Sequence, residues 1–134
     1  MAATLEEVSD FFYGEGKVVS GWEGDDGALI ELANEYRPGK PYCLVRKWIV
    51  ADLQLTPEEL EQFRIEAVLP LVLFAHEVVR DSRNRFPPGH WVRSNFGISH
   101  SHPCMFETRS TVYLLLGDGC RKRATLDTVF SLRP

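Results

Sequence analysis

A chain of 134 residues with 44% apolar and 25% charged residues has the size and composition of one globular domain, which excludes a disordered or fibrous protein. Its formal charge of −4 is unevenly spread: residues 1–35 carry nine acids against Lys17 alone, and residues 36–134 carry fourteen bases against ten acids. No apolar run approaches the roughly 20 residues a membrane-crossing helix needs.

The start, Met-Ala-Ala-Thr-Leu-Glu-Glu-Val, has neither the basic nor the apolar segment of a secretion signal. Cys43, Cys104 and Cys120 cannot all pair and form no Cys-x-x-Cys, so reduced thiols and a cytoplasmic location are expected.

Thr4-Leu-Glu-Glu is a capping box, with Glu7 three residues after the N-cap. Leu5, Val8 and Phe12 follow at helical spacing and Gly14 stops the helix. Residues 14–24 are Gly-rich and acidic and read as a loop. Asp25 or Asp26 caps a second helix with Leu29, Leu32, Ala33 and Tyr36 on its apolar face, ended by Pro38-Gly39. Tyr42–Leu53, rich in β-branched and aromatic residues, is one long strand or two with a bend. Thr56-Pro-Glu-Glu opens a third helix carrying Leu60, Phe63 and Ala67, which must finish before Pro70. Strands are predicted at Leu71–Val79, His90–Phe96, Cys104–Thr108, Thr111–Gly117 and Cys120–Ala124, the last entered through the tight turn Gly117-Asp-Gly119. Thr125 is placed to cap a short final helix bearing Leu126, Val129 and Phe130.

This order predicts a single α+β domain over 1–134, acidic and helical at 1–35 and sheet-forming at 42–134. Strands joined by short turns pair antiparallel, because parallel pairing needs a long crossover. The expected architecture is an antiparallel sheet of about five or six strands, with the two N-terminal helices and the central helix packed on one face.

Ligand-type residues cluster in one place, residues 89–104, which hold His90, His100, His102 and Cys104. On an extended chain His100, His102 and Cys104 share one face, the arrangement a zinc-type ion needs, with His90 or Cys120 as a fourth ligand. Cys104 beside His102 or His100 is also the minimum of a thiol nucleophile, as in a small hydrolase. Against both, Pro103 interrupts the run and 97–103 reads as a polar loop. No nucleotide-binding, nucleophile-elbow or zincin motif occurs, so no cofactor is expected and an enzyme is not favoured. His76 reads as a core or edge histidine, and Trp22, Trp48 and Trp91 read as core, with Trp22 in its Gly-rich loop the exception. Arg93, Arg109, Arg121, Lys122 and Arg123, with the polar His100 and His102, make the candidate contact surface for an acidic partner.

Pro88-Gly-His-Trp-Val-Arg-Ser, Phe106-Glu-Thr-Arg-Ser-Thr-Val-Tyr-Leu-Leu-Leu-Gly-Asp-Gly, Arg121-Lys and Thr128-Val-Phe-Ser-Leu resemble a small uncharacterised bacterial family, a domain of unknown function met in pseudomonads and their phages. Tyr42-Cys-Leu-Val-Arg-Lys-Trp-Ile is similar to its earlier strand, so the resemblance spans about 40–134. It implies no catalytic residues. It does imply a phage or mobile-element context, in which small domains without catalytic motifs often inhibit by binding. The expectation is therefore a non-enzymatic protein-binding module acting on a host or defence complex, in its most specific form an inhibitor of a CRISPR effector. The acidic N-terminal part would imitate nucleic acid, or the basic surface would make the contact. A nucleic-acid partner is not favoured and a homo-oligomer is an open possibility. The rival is a metal-binding protein or hydrolase at His100, His102 and Cys104.

Overall fold

The capping box predicted at Thr4 forms and the helix start at Thr56 makes another: Glu7 N–H and Glu59 N–H donate to the Thr4 and Thr56 hydroxyls, and each threonine N–H donates to the glutamate carboxylate. They start α1 (Leu5–Tyr13) and α3 (Pro57–Ile65), while Asp25 caps α2 (Asp26–Tyr36) and Thr125 caps α4 (Leu126–Phe130). The computed structural model describes residues 3–132. Within them the strands are β1 (Lys17–Val19), β2 (Tyr42–Gln54), β3 (Leu71–Asp81), β4 (Val92–Phe96), β5 (Met105–Glu107), β6 (Val112–Leu115) and β7 (Gly119–Thr125).

The sheet is mixed, with seven strands, and this corrects the expected antiparallel sheet of five or six. β2 pairs antiparallel with β3 along its length. Its other edge is taken by two strands end to end, both parallel to it: β6 opposite Tyr42–Val45 and β7 opposite Ile49–Gln54. The turn Gly117-Asp-Gly119 therefore joins no hairpin; it is a jog that lets one chain direction continue along β2. The crossover that parallel pairing demands is supplied by everything between β2 and β6. β1, read as loop, pairs antiparallel with the start of β7. A stretch of three residues is too short to show a period.

β4 pairs with β3, β5 with β6, and an isolated bridge joins Ser99 beyond β4 to Glu107 of β5. The pairings thus close a circuit, β2–β3–β4–β5–β6–β2. One face of it holds Val45, Trp48, Val50, Leu73, Phe106 and Leu115 in a single apolar cluster. Val45 and Trp48 both face inward although three residues apart, because Lys47 takes a left-handed backbone (φ 53°) and resets the alternation. The Trp48 indole N–H donates to the Leu116 and Gly117 carbonyls, and its ring leaves no room for a Cβ at Gly119, so the jog is shaped around this one side chain.

The helices pack on the opposite face, as expected, but there are four. Phe11 of α1, Phe63 of α3 and Val129 of α4 meet Ile49, Ala51 and Phe74, while Leu29 and Ala33 of α2 meet Leu44 and Leu114. Leu32 and Leu60, assigned to apolar helix faces, are 39% and 45% exposed.

Buried charge fixes the outlying elements. Glu107, with its side chain 2% exposed, accepts from Tyr36 Oη (2.7 Å), Arg37 Nε (2.9 Å) and Lys40 Nζ (2.7 Å) and so holds the end of α2 to β5. Burial opposes its ionisation, but the hydrogen bonds from Lys40, Tyr36 and Arg37 outweigh it and keep the carboxyl below its ordinary range. Asp81 is held by Arg85 through Nε and Nη2, and Arg85 reaches on to the Thr111 hydroxyl. Replacing Glu107 by Ala leaves Lys40 facing a vacated buried site, and unfolding in urea should show a loss of about 3–5 kcal/mol. A loss below about 1 kcal/mol would show that the network is not a fastening.

Candidate functional site

Residues 89–104 resolve into β4 followed by a polar loop. His100 is half-buried with its ring against Phe106 (centroids 5.6 Å apart), and its Nε2 is buried without a hydrogen-bond partner among the described residues. His102 is exposed, and its Nδ1 accepts from the Cys104 N–H at 3.1 Å. Cys104 is buried on the α2 side of the sheet. The shared face expected of the three does not form. The Met105 N–H donates to the His102 carbonyl, so the chain turns at Pro103 and ends the alternation. Among the described residues no three His, Cys, Asp or Glu side chains are grouped to hold a metal ion. His90, the suggested fourth ligand, lies in the exposed approach to β4, and Cys120 lies on the helix-bearing face beside Val18.

The expected basic contact surface is dispersed in the same way. Arg93 donates to the Val129 carbonyl (3.4 Å) and stacks over Phe130 (4.8 Å), fastening α4 to β4. Arg109 donates to the Glu66 carbonyl beyond α3. Arg121 grips Asp52 through Nε and Nη2, both at 2.6 Å. Lys122, buried, donates through Nζ to the Phe11 and Gly14 carbonyls at 2.6 and 2.7 Å, where the carbonyls of a helix C-terminus favour a cation. Of the five, Arg123 alone is exposed without a recorded contact among the described residues.

The N-terminal part, by contrast, keeps its acids on the surface. Of the nine acids in residues 1–35, eight are exposed: Glu6, Glu7, Asp10, Glu15, Glu23, Asp25, Glu31 and Glu35. Three of them, Glu7, Asp10 and Glu15, line a cleft of about 320 Å3 between α1 and β7, whose other wall includes Gln54, Arg121, Arg123 and Thr125. Sequence reasoning did not find this cleft. Its signal was the alternation of Arg121, Lys122 and Arg123 along a strand, which puts Lys122 toward α1 and both arginines on the other face.

The thiols are not poised for attack. Burial raises the pKa of Cys104 and Cys120 and pushes Cys43 up to about 12. In the folded protein a maleimide should modify Cys120 slowly and leave Cys43 and Cys104 intact, as read by intact-mass spectrometry; fast modification of Cys104 would reinstate it as a nucleophile. Burial also lowers the pKa of His76 and His100, which adjacent Lys47 and Arg121 respectively lower further. The unfolded chain then takes up protons that the fold excludes, so the stability involved is present above about pH 6.5 and is lost as pH falls below it. Urea midpoints between about pH 7.5 and 5.5 should decline with falling pH, and less steeply in His100→Leu; an unchanged slope would place the titration elsewhere.

No curated protein and no solved structure matches the chain. A family model matches residues 20–131 and so takes in every element from α2 to α4, beginning earlier than the 40–134 of the resemblance. α1 and β1 lie outside the match. The chain belongs to the family described as a domain of unknown function, DUF6957.

Proposed function

We propose that this protein is a non-enzymatic binding module of phage or mobile-element origin that inhibits a host or defence machine by docking on a basic surface. The observation that carries this reading is the use of the bases. Arg37, Lys40, Arg85, Arg93, Arg109, Arg121 and Lys122 all bond within the fold, whereas eight N-terminal carboxylates face solvent. The exposed field of the N-terminal part is therefore negative, and such a field steers association with basic surfaces, above all those built to hold nucleic acid. The basic-surface form of the expectation has four of its five bases, Arg93, Arg109, Arg121 and Lys122, engaged in internal contacts, and keeps Arg123.

The most specific form, obstruction of a CRISPR effector, is tested with a purified effector complex and its nucleic acid. The protein should reduce nucleic-acid binding, more strongly at low salt. The Glu6→Lys/Glu31→Lys/Glu35→Lys variant should fold normally by circular dichroism and lose the effect by about tenfold or more. Undiminished inhibition by that variant would remove the acidic surface as the cause, and nucleic-acid binding unchanged by wild type would remove the effector as the target.

A further inference from the structure

β7 has two edges, and they are filled unequally. One is covered by β2 as far as Thr125. The other is covered by β1 opposite Gly119–Arg121 alone. At Gly16 the chain lies against the Lys122 side chain and the Arg121 carbonyl and then departs into α1, so the ladder ends there. Among the described residues, the Lys122–Thr125 edge has no strand beside it, and only Gly16 approaches it, at Lys122. These four residues also line the α1–β7 cleft, so the unpaired edge faces open space instead of packed protein.

Edge strands are ordinarily blunted by mobile Lys and Arg side chains. Here Arg121 is fixed on Asp52 and Lys122 on the last carbonyls of α1, which leaves Arg123 as the one exposed, unfastened cation of this edge among the described residues, on the face opposite Lys122. The opposite wall offers Asp10 and Glu15, both exposed and without an ion-pair partner among the described residues. Glu7 is engaged in the α1 capping box.

We infer that the Lys122–Thr125 edge is a strand acceptor for an extended peptide of a partner protein, whose basic side chains on one face meet Asp10 and Glu15. Backbone hydrogen bonds to β7 supply the attachment, and alternate side chains facing α1 supply the selectivity. This rests on the binding-module reading above and assigns that partner a shape, a short extended basic segment.

The test uses the full chain and three capped heptapeptides: alternating Lys-Val, alternating Glu-Val, and Lys-Val with alternate backbone nitrogens methylated. Amide hydrogen exchange at Gly119–Thr125 is followed by NMR. The Lys-Val peptide should protect the Lys122–Thr125 amides, the methylated peptide should not, and Asp10→Lys/Glu15→Lys should weaken the response by about tenfold. Equal binding of the methylated peptide, tighter binding of the Glu-Val peptide, or amides unmoved by all three would overturn the proposal. Unmoved β7 amides together with effector inhibition that depends on Glu6, Glu31 and Glu35 would sink the strand acceptor alone. Protection at β7 with inhibition unaffected by those three residues would sustain it and sink the docking surface.

Discussion

β2 is thirteen residues long and apolar on both faces, and the rest of the structure answers to the need to cover both its edges. β3 runs antiparallel along one edge. No single later strand is long enough for the other, so β6 and β7 share it. They can do so only if the chain steps across at Leu116–Asp118 where β2 itself turns at Lys47. Trp48 joins the two irregularities, filling the interior beneath the step and donating its indole N–H to the carbonyls that form it. Were the break in β2 removed, its side chains beyond Lys47 would exchange faces.

The same arrangement explains where the charge went. A circuit of strands with helices outside it creates many element ends, and several of them are secured by a cation on a carboxylate or on carbonyl oxygens. Lys40 and Arg37 secure α2, Lys122 secures α1, Arg93 secures α4, and Arg85 secures the turn after β3. The C-terminal excess of bases is thus largely a set of fastenings. The N-terminal acids, with few such tasks, face water.

Local signals in the chain were largely legible because they rest on local physics. Thr4 and Glu7, Thr56 and Glu59, Asp25 and Thr125 cap the helices they announce, since a cap requires neighbours only a few residues away. Pairing direction was not legible. Gly117-Asp-Gly119 resembles a hairpin turn, and what makes it a step is β2, about 70 residues earlier in the chain. The His100, His102 and Cys104 face failed for a local reason visible beforehand, Pro103. The expected gathering of the arginines on one surface failed for a distant one, since nothing near Arg93 in sequence points to the Val129 carbonyl. The cleft between α1 and β7 joins two segments more than a hundred residues apart and shows only once both are placed.

The sharing of one β2 edge by β6 and β7 has a kinetic side. The β2–β3 pair needs only a local loop containing α3, so it can form early. The parallel ladders join residues such as Tyr42 and Val112, and pairings so distant along the chain are slow to form because the closure entropy comes before the contacts. During synthesis β2 must therefore wait with one edge unpaired until residues 112–125 have emerged. In that interval the chain is open to wrong pairing with itself or with its neighbours.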